Sequence, residues 1–281
     1  MSSKVAIVEF DEHVEEALKR AFELIGKIDD LNTTEKNVVI KVGVFDHRAE
    51  THTTLSVVDA IIKSFNKAPK IFVAESDNYR GKGLERLQIW KKLFTERIVP
   101  FNLSDDTNTR KVKIADEKIN FSHILFKPNV LVSSHVLRGF EKGSILKNLL
   151  GLIPDPKKAR FHKKLETVLL DAYEAIGGID LAVLDATYTY RGAGAMPHAG
   201  PDSTRYRIKT NTLIVGRDAL AVETVGATLA GLNPDKMPVI QEAIERGLGE
   251  GHLEKIEILG TPIDSIKKKF SSAMKNFKAK K

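Results

Sequence analysis

The sequence predicts an α/β fold, a central and mainly parallel sheet covered by helices, with a β-hairpin added to it. Three observations carry that prediction. Short β-branched runs recur along the chain, and stretches with helical periodicity lie between them, the order that builds β–α–β units. The length of 281 residues, with 42% hydrophobic side chains, supplies a large core.

The first run is "KVAIVEF" at 4–10, and "VEEALKRAFELIGKI" at 14–28 follows with Val14, Leu18, Phe22 and Ile25 on one stripe. "NVVIKVGVF" at 37–45 precedes "LSVVDAIIKSF" at 55–65, which has a comparable stripe, and "KIFVAES" at 70–76 comes next. "TRKVKIADEKINFS" at 109–122 breaks the rhythm: two alternating runs around "ADEK" read as a β-hairpin at a sheet edge or on a small lobe. The alternation then resumes with "NVLVSSH" at 129–135, the helical "LETVLLDAYEAIG" at 165–177, "LAVLDAT" at 181–187, "TLIVGRD" at 212–218 and "IEILG" at 256–260. No Gly/Ser linker or internal repeat interrupts the chain, so one α/β domain over 1–281 is expected, with a division into lobes at about 1–125 and 126–262 left open. Residues 263–281 form a basic helix or tail, in which Ile266, Phe270 and Met274 share a stripe suited to docking.

Composition excludes several chemistries. The chain has no cysteine, which removes disulfides, thiolate zinc sites, a Cys nucleophile and a Cys-ligated iron–sulfur cluster. The start, "MSSKVAIVEFDEHVEEALKR", lacks the apolar run of a signal peptide, and no stretch approaches a membrane span, so a cytoplasmic protein is expected. Glutamine occurs only as Gln88 and Gln241 beside abundant Lys and Glu, a balance found in proteins of hot-living organisms. A net charge of +7 permits an acidic partner, although part of the excess lies in "IKKKFSSAMKNFKAKK".

In open α/β sheets ligands collect beyond the carboxyl ends of the strands. The strand ends here offer Lys41; Asp46, His47 and His52; Glu75; and Asp185. Lys41, Glu75 and Asp185 would give a charged pocket floor, with the two carboxylates as acid–base groups, or the carboxylates would serve as helix caps. Asp46, His47 and His52 are loop residues that could contribute to a metal site, without the i, i+4 spacing of a helical metal motif. In "SILKNLLGLIPDPKKARFHKK" at 144–164, Ile145, Leu149 and Leu152 can pack inward while Lys147 and Asn148 face another way, and Gly151 with Pro154 ends the turn. Lys157, Lys158, Arg160, His162, Lys163 and Lys164 then crowd positive charge at the next helix start, either an anion site or a solvated basic loop.

The order "VVIKVGVF", "THTT", "VAES", "LKNLLGLIPDPKK", "FH", "LAVLDAT", "GAGAMPHAG" and "GRDALAVETVGATLAGL" resembles the domain-of-unknown-function family 362, over nearly the whole chain from about Lys4 to Gly260. The resemblance implies no particular activity. Many members add a Cys-rich ferredoxin-like segment that this chain lacks, which makes a separate ferredoxin-like protein a candidate partner. A Lys-Thr-His step commonly precedes the Leu-Lys-Asn motif; here "VLRGF" places Phe140 where the histidine is expected, so histidine chemistry would fall to nearby His135. The "TT" loop and acid-ended strand are also similar, more distantly, to the fold of nickel-pincer lactate racemases, an analogy of fold alone.

The loop "RGAGAMPHAGPDSTR" at 191–205 is not a dinucleotide fingerprint, because its glycines do not open a helix: Pro197, Gly200 and Pro201 intervene and "RYRIKTNTLIVG" reads as strand. It is expected to wall the Asp185 strand end, with Gly192 and Gly194 allowing close backbone approach and His198 reaching inward, the alternative being a plain hairpin connection. Two function classes result. One is a small-molecule enzyme that holds an anionic ligand, a carboxylate or phosphate, with Lys41, Lys147, Asn148 and His162 and works on it with Glu75 and Asp185. The other is a non-catalytic binder of nucleic acid or an acidic partner, using the basic charge and lysine tail. Oligomeric state, cofactor and substrate identity are not written in the sequence.

Overall fold

The computed structural model describes residues 2–49, 51–190 and 207–279, apart from the side chains of Thr189, Tyr190, Arg207 and residues 273–279. In chain order the elements are β1 (Lys4–Glu9), α1 (Val14–Ile25), β2 (Val38–Val42), α2 (Leu55–Ser64), β3 (Ile71–Glu75), α3 (Gly83–Leu87), β4 (Ile98–Asn102), β5 (Thr109–Ile114), β6 (Glu117–Ser122), β7 (Val130–Arg138), α4 (Ile145–Asn148), α5 (Leu165–Ala175), β8 (Leu181–Tyr190), β9 (Arg207–Gly216), α6 (Ala219–Leu229), α7 (Pro238–Glu245), β10 (Glu257–Gly260) and α8 (Ile263–Ala279).

Eight strands form one sheet in the order β10-β1-β9-β8-β7-β2-β3-β4. Its pairings are parallel except those of β9, which runs antiparallel to both β1 and β8. The expected α/β fold is therefore present, and strands from both halves of the chain share the sheet. β5 and β6 form the expected hairpin as a separate two-stranded sheet, paired from Thr109↔Ser122 to Ile114↔Glu117. β4 is a strand the sequence reading did not name: Pro100 argues against a strand interior, and β4 tolerates it because it lies at the sheet edge.

Alternate residues of each strand feed opposite faces, and helices cover both. Val38, Ile40, Val42, Ile71 and Val73 join the core beneath α1 and α2 with Leu18, Phe22, Val57 and Ile61. Val39, Ala74, Leu131 and Leu184 join the opposite core with Leu149, Leu169, Val222 and Ile240. In α8 Ile266 and Phe270 are buried, so the helix docks as its stripe predicts; the Met274 side chain lies outside the described residues. No helix among the described residues is long and apolar enough to cross a membrane.

The winding of the chain locates a crevice. From β2 the chain steps outward to β3 and β4; it then returns to pair β7 on the other side of β2 and steps outward through β8 to β9. β2 and β7 are thus neighbours whose onward connections diverge, the topological switch point at which α/β sheets open beyond their strand ends.

Candidate functional site

Beyond the carboxyl ends of β2, β3 and β7 lies a cavity of about 310 Å³, lined by Lys41, Glu75, Arg86, His135, Arg138, Lys147, Asn148, Lys158 and His162 together with Val44, Phe45, Tyr79, Phe140, Leu150 and Pro156. Its floor is ionic and buried. The Lys41 ammonium, level with Ala74 in the β2–β3 register, donates to Glu75 Oε2 at 3.1 Å, to the Asn148 side-chain oxygen at 2.8 Å and to its neighbour's carbonyl on Val42 at 2.9 Å. Burial pulls the Lys41 ammonium below its ordinary basicity, and the Glu75 carboxylate works against that fall. Glu75 Oε1 accepts the Ser76 N–H at 2.9 Å, and the fully buried Arg86 guanidinium stands 3.6 Å from Oε2. Asn148 fixes the floor to the sheet: its amide donates to the Lys41 carbonyl at 3.0 Å and to Ser133 Oγ at 3.1 Å.

Gly151 explains why the turn after α4 can lie so close. It sits within the single turn Leu149–Leu152 that follows α4, not at a helix cap as the sequence suggested, and a Cβ there would come 2.5 Å from Lys41 Nζ and 2.6 Å from Glu75 Oε1. Only a residue without a side chain permits that approach. Gly43 plays the same part beside His135, where a Cβ would fall 2.2 Å from the ring Cδ2.

Three groups complete the polar wall. Burial pushes Lys147 down to about 8, helped by Arg138 and Lys142 and opposed by the Glu166 carboxylate, and its ammonium makes no hydrogen bond or ion pair among the described residues. Burial takes Lys158 down to about 7, with Glu75 opposing and Lys41 and Arg86 assisting. His135 falls well below the usual imidazole range, chiefly through burial and next through Arg138, so it is neutral at pH 7. Its Nδ1 lies 2.8 Å from the Val136 carbonyl, which assigns the proton to Nδ1 and leaves the lone pair on Nε2.

α4 is held by a buried carboxylate. Glu223, in the middle of α6, accepts the backbone N–H groups of Ser144 at 2.8 Å and Leu146 at 2.8 Å. Burial raises the Glu223 pKa, and these N–H groups oppose the rise. They are the otherwise unpaired donors that open the turn bearing Lys147 and Asn148.

The structure thus brings together Lys41, Glu75, Lys147, Asn148 and His162 of the residues singled out from the sequence. Asp185 stands apart. It leaves the same sheet edge as Glu75, but β7 and β2 intervene, which puts β8 roughly 14 Å from β3. Its Oδ2 accepts the Thr54 N–H at 2.7 Å and hydroxyl at 2.8 Å, at the start of α2, and its Oδ1 accepts the Thr187 N–H at 2.8 Å. The helix-capping alternative describes these contacts.

Asp46 is held by Arg48 through Nε at 2.9 Å and Nη2 at 2.8 Å, which keeps its carboxyl below the usual carboxylate range. His52 Nδ1 lies 3.0 Å from the Thr53 carbonyl, with its ring edge-on to Trp90, and the His47 Nδ1 is buried without a partner. Among the described residues no group of three or more His, Asp or Glu side chains is placed to hold a metal ion. Gly192, Gly194 and His198 lie outside the described residues, while the strand expected after their loop is present as β9.

The basic stretch divides. Lys158 and His162 face the cavity; Arg160 pairs with Glu117 at 3.0 Å and Asp155 at 2.6 Å, and Lys164 pairs with Asp116. Sequence reasoning did not separate Lys158 from its neighbours. The signal was its spacing of three from Phe161, which in a tight turn puts both on one face. Glu223 also carried a signal, a lone carboxylate in a helix otherwise apolar or small over its whole surface. Arg86 and Arg138 carried none.

A mainly parallel α/β sheet with a cationic cavity at its switch point defines the architectural class of the protein, and that architecture hosts many unrelated chemistries. Residues 38–228 match the family described as "Domain of unknown function (DUF362)". The chain belongs to that family, and the matched segment spans β2 to α6, including every cavity residue named above. A search of curated proteins gave no match.

Proposed function

We propose that the chain is an enzyme acting on a small organic anion bound in the cavity at the β2–β7 switch point. One observation carries this reading: Lys41 and Arg86 already neutralise Glu75, and the buried Lys147, which lines the same cavity, makes no hydrogen bond or ion pair among the described residues and, of the carboxylates, feels only the more distant charge of Glu166. A desolvated cation is costly unless an anion answers it. A carboxylate or phosphate placed against Lys147, with His162 at the same wall, supplies that answer.

The chemistry assigned to the site is proton transfer. Neutral His135 offers Nε2 as a base, and the Lys41–Glu75–Arg86 cluster forms the ionic floor of the same cavity. The apolar residues Val44, Phe45, Phe140 and Leu150 exclude water from the same space and suit a ligand with an apolar part next to its anionic group.

The test is calorimetric titration of the protein with oxalate, pyruvate and inorganic phosphate, alongside mass spectrometry of small molecules that copurify with it. At least one organic anion should bind, and Lys147→Ala should weaken it by roughly 30-fold or more, the loss expected when a buried charge pair is halved. His162→Ala should weaken it less, because His162 is exposed. Unchanged affinity in Lys147→Ala would remove the anion site from this cavity.

A further inference from the structure

Lys158 differs from the other cations of the cavity in how its nitrogen is held. Its Nζ donates to Ser76 Oγ and to the Asp77 carbonyl at 2.6 Å, both neutral oxygens. Ser76 Oγ spends its own proton on the Gly151 carbonyl at 2.6 Å, so it meets Lys158 with a lone pair. The nearby Glu75 carboxylate is taken by Lys41 and Arg86, and Lys158 makes no ion pair among the described residues. A neutral primary amine has two N–H donors and one lone pair. Here two acceptors engage the two donors and leave the lone pair unassigned, in a side chain that lines the cavity.

Lys147 is the contrast. Its basicity is lowered only to about 8, so it is mostly charged at neutral pH, and no acceptor orients it. That suits the anion. Lys158, at about 7, is roughly half neutral amine under the same conditions. A desolvated lysine beside other cations is the setting in which an amine becomes a nucleophile toward carbonyl carbon.

We propose that Lys158 is a nucleophilic amine that condenses with the carbonyl carbon of an oxo acid held in this cavity. The step balances without oxidant or reductant. The Nζ lone pair forms a C–N bond while the carbonyl π pair moves to oxygen; a proton passes from nitrogen to that oxygen, giving a carbinolamine. The hydroxyl then leaves with the second nitrogen proton as water, and a C=N bond joins Lys158 to the substrate. The inference deepens the anion reading and rests on it only for the acid group, which Lys147 would hold; the amine chemistry stands on the Lys158 contacts alone.

The experiment is reductive trapping at pH 7 with sodium cyanoborohydride, whose hydride converts the imine to a stable secondary amine, followed by peptide mapping by mass spectrometry. Two probes are used, pyruvate and the neutral ketone acetone. Pyruvate should give one adduct per native chain, on Lys158, forming on the order of tenfold faster or more than adducts on exposed lysines such as Lys19. Lys158→Arg, shown by circular dichroism to be folded, should lose it, and Lys147→Met should raise the pyruvate concentration needed. Labelling spread over many lysines, labelling that persists elsewhere in the cavity of Lys158→Arg, or no labelling of Lys158 by either probe would overturn the proposal, even where calorimetry still finds oxalate bound. Selective labelling of Lys158 by acetone with no advantage for pyruvate would uphold the amine and discard the anion site.

Discussion

Replacing Gly151 by alanine tests the packing on which the ionic floor depends. The new Cβ would stand 2.5 Å from Lys41 Nζ and 2.6 Å from Glu75 Oε1, whereas ordinary contact begins at 3.4 Å, so close to an ångström of overlap must be relieved. Neither partner can swing away, since Lys41 is 2% exposed and Glu75 3%. Two routes remain. The turn Leu149–Leu152 can retreat, an overpacking cost of about 1–3 kcal/mol, or the ion pair can part, which in a buried pair costs roughly 3–5 kcal/mol. The cheaper route wins, and the expected destabilisation is about 1–3 kcal/mol.

Urea unfolding followed by the fluorescence of Trp90, the single tryptophan and fully buried, reads this directly. The midpoint should fall with the slope unchanged. In a Glu75→Ala background one clashing oxygen is gone while Asn148 and the Val42 carbonyl still hold Lys41, so the added cost of Gly151→Ala should shrink without vanishing, a departure from additivity. Stability within about 0.5 kcal/mol of the parent, or strict additivity with Glu75→Ala, would refute the argument that this glycine exists to admit the pair.

Further outcomes follow from the same contacts. Anion affinity should fall as pH rises from 7 to 9, because Lys158 and Lys147 lose their protons near about 7 and about 8; calorimetry with oxalate across that range would expose a flat profile. Stability should move the other way. The depressed folded-state pKa of Lys158 means that the unfolded chain binds more protons between about 7 and the ordinary value of 10.5, so this residue's penalty is relieved as pH climbs through that window. Lys158→Met should therefore show a smaller gain in urea midpoint between pH 7 and 9 than the parent. Glu223→Ala leaves the Ser144 and Leu146 N–H groups without their acceptor and should cost about 2–3 kcal/mol, with weaker anion binding because Lys147 and Asn148 ride on that turn. Asp185→Ala, by contrast, removes the acceptor for Thr54 at the start of α2 and should lower the melting temperature while leaving oxalate affinity as it was.

The sequence announced the sheet wherever local chemistry and tertiary demand agree. Short, largely apolar runs such as Val38–Val42 and Leu181–Leu184 have one favourable environment, the buried strand, and are legible for that reason. β4 was not, because an edge position is a fact of topology that no local pattern around Pro100 contains. The site divides in the same way. Lys41 and Glu75 were found because charges at strand ends are conspicuous, but whether Glu75 meets Lys41 or Asp185 depends on the order of strands, and β2 and β7 fall between the two carboxylates. Lys158 hid among equals: six basic residues in eight positions look alike until burial chooses one of them.

The pairing of β2 with β7 also bears on how the protein reaches its native state. Val38 meets Val130 only after the whole of β3, α3, β4 and the β5–β6 hairpin has been bridged, so this seam closes a long loop that β2–β3 pairing does not. The entropy of closing such a loop opposes early formation, and chains rich in distant pairings fold slowly. Lys41 and Asn148, which lock across that seam, are therefore expected to form their contacts late in folding. A ligand that bridged the two sides would then slow unfolding more than it hastens refolding, because its contacts would be absent from the transition state.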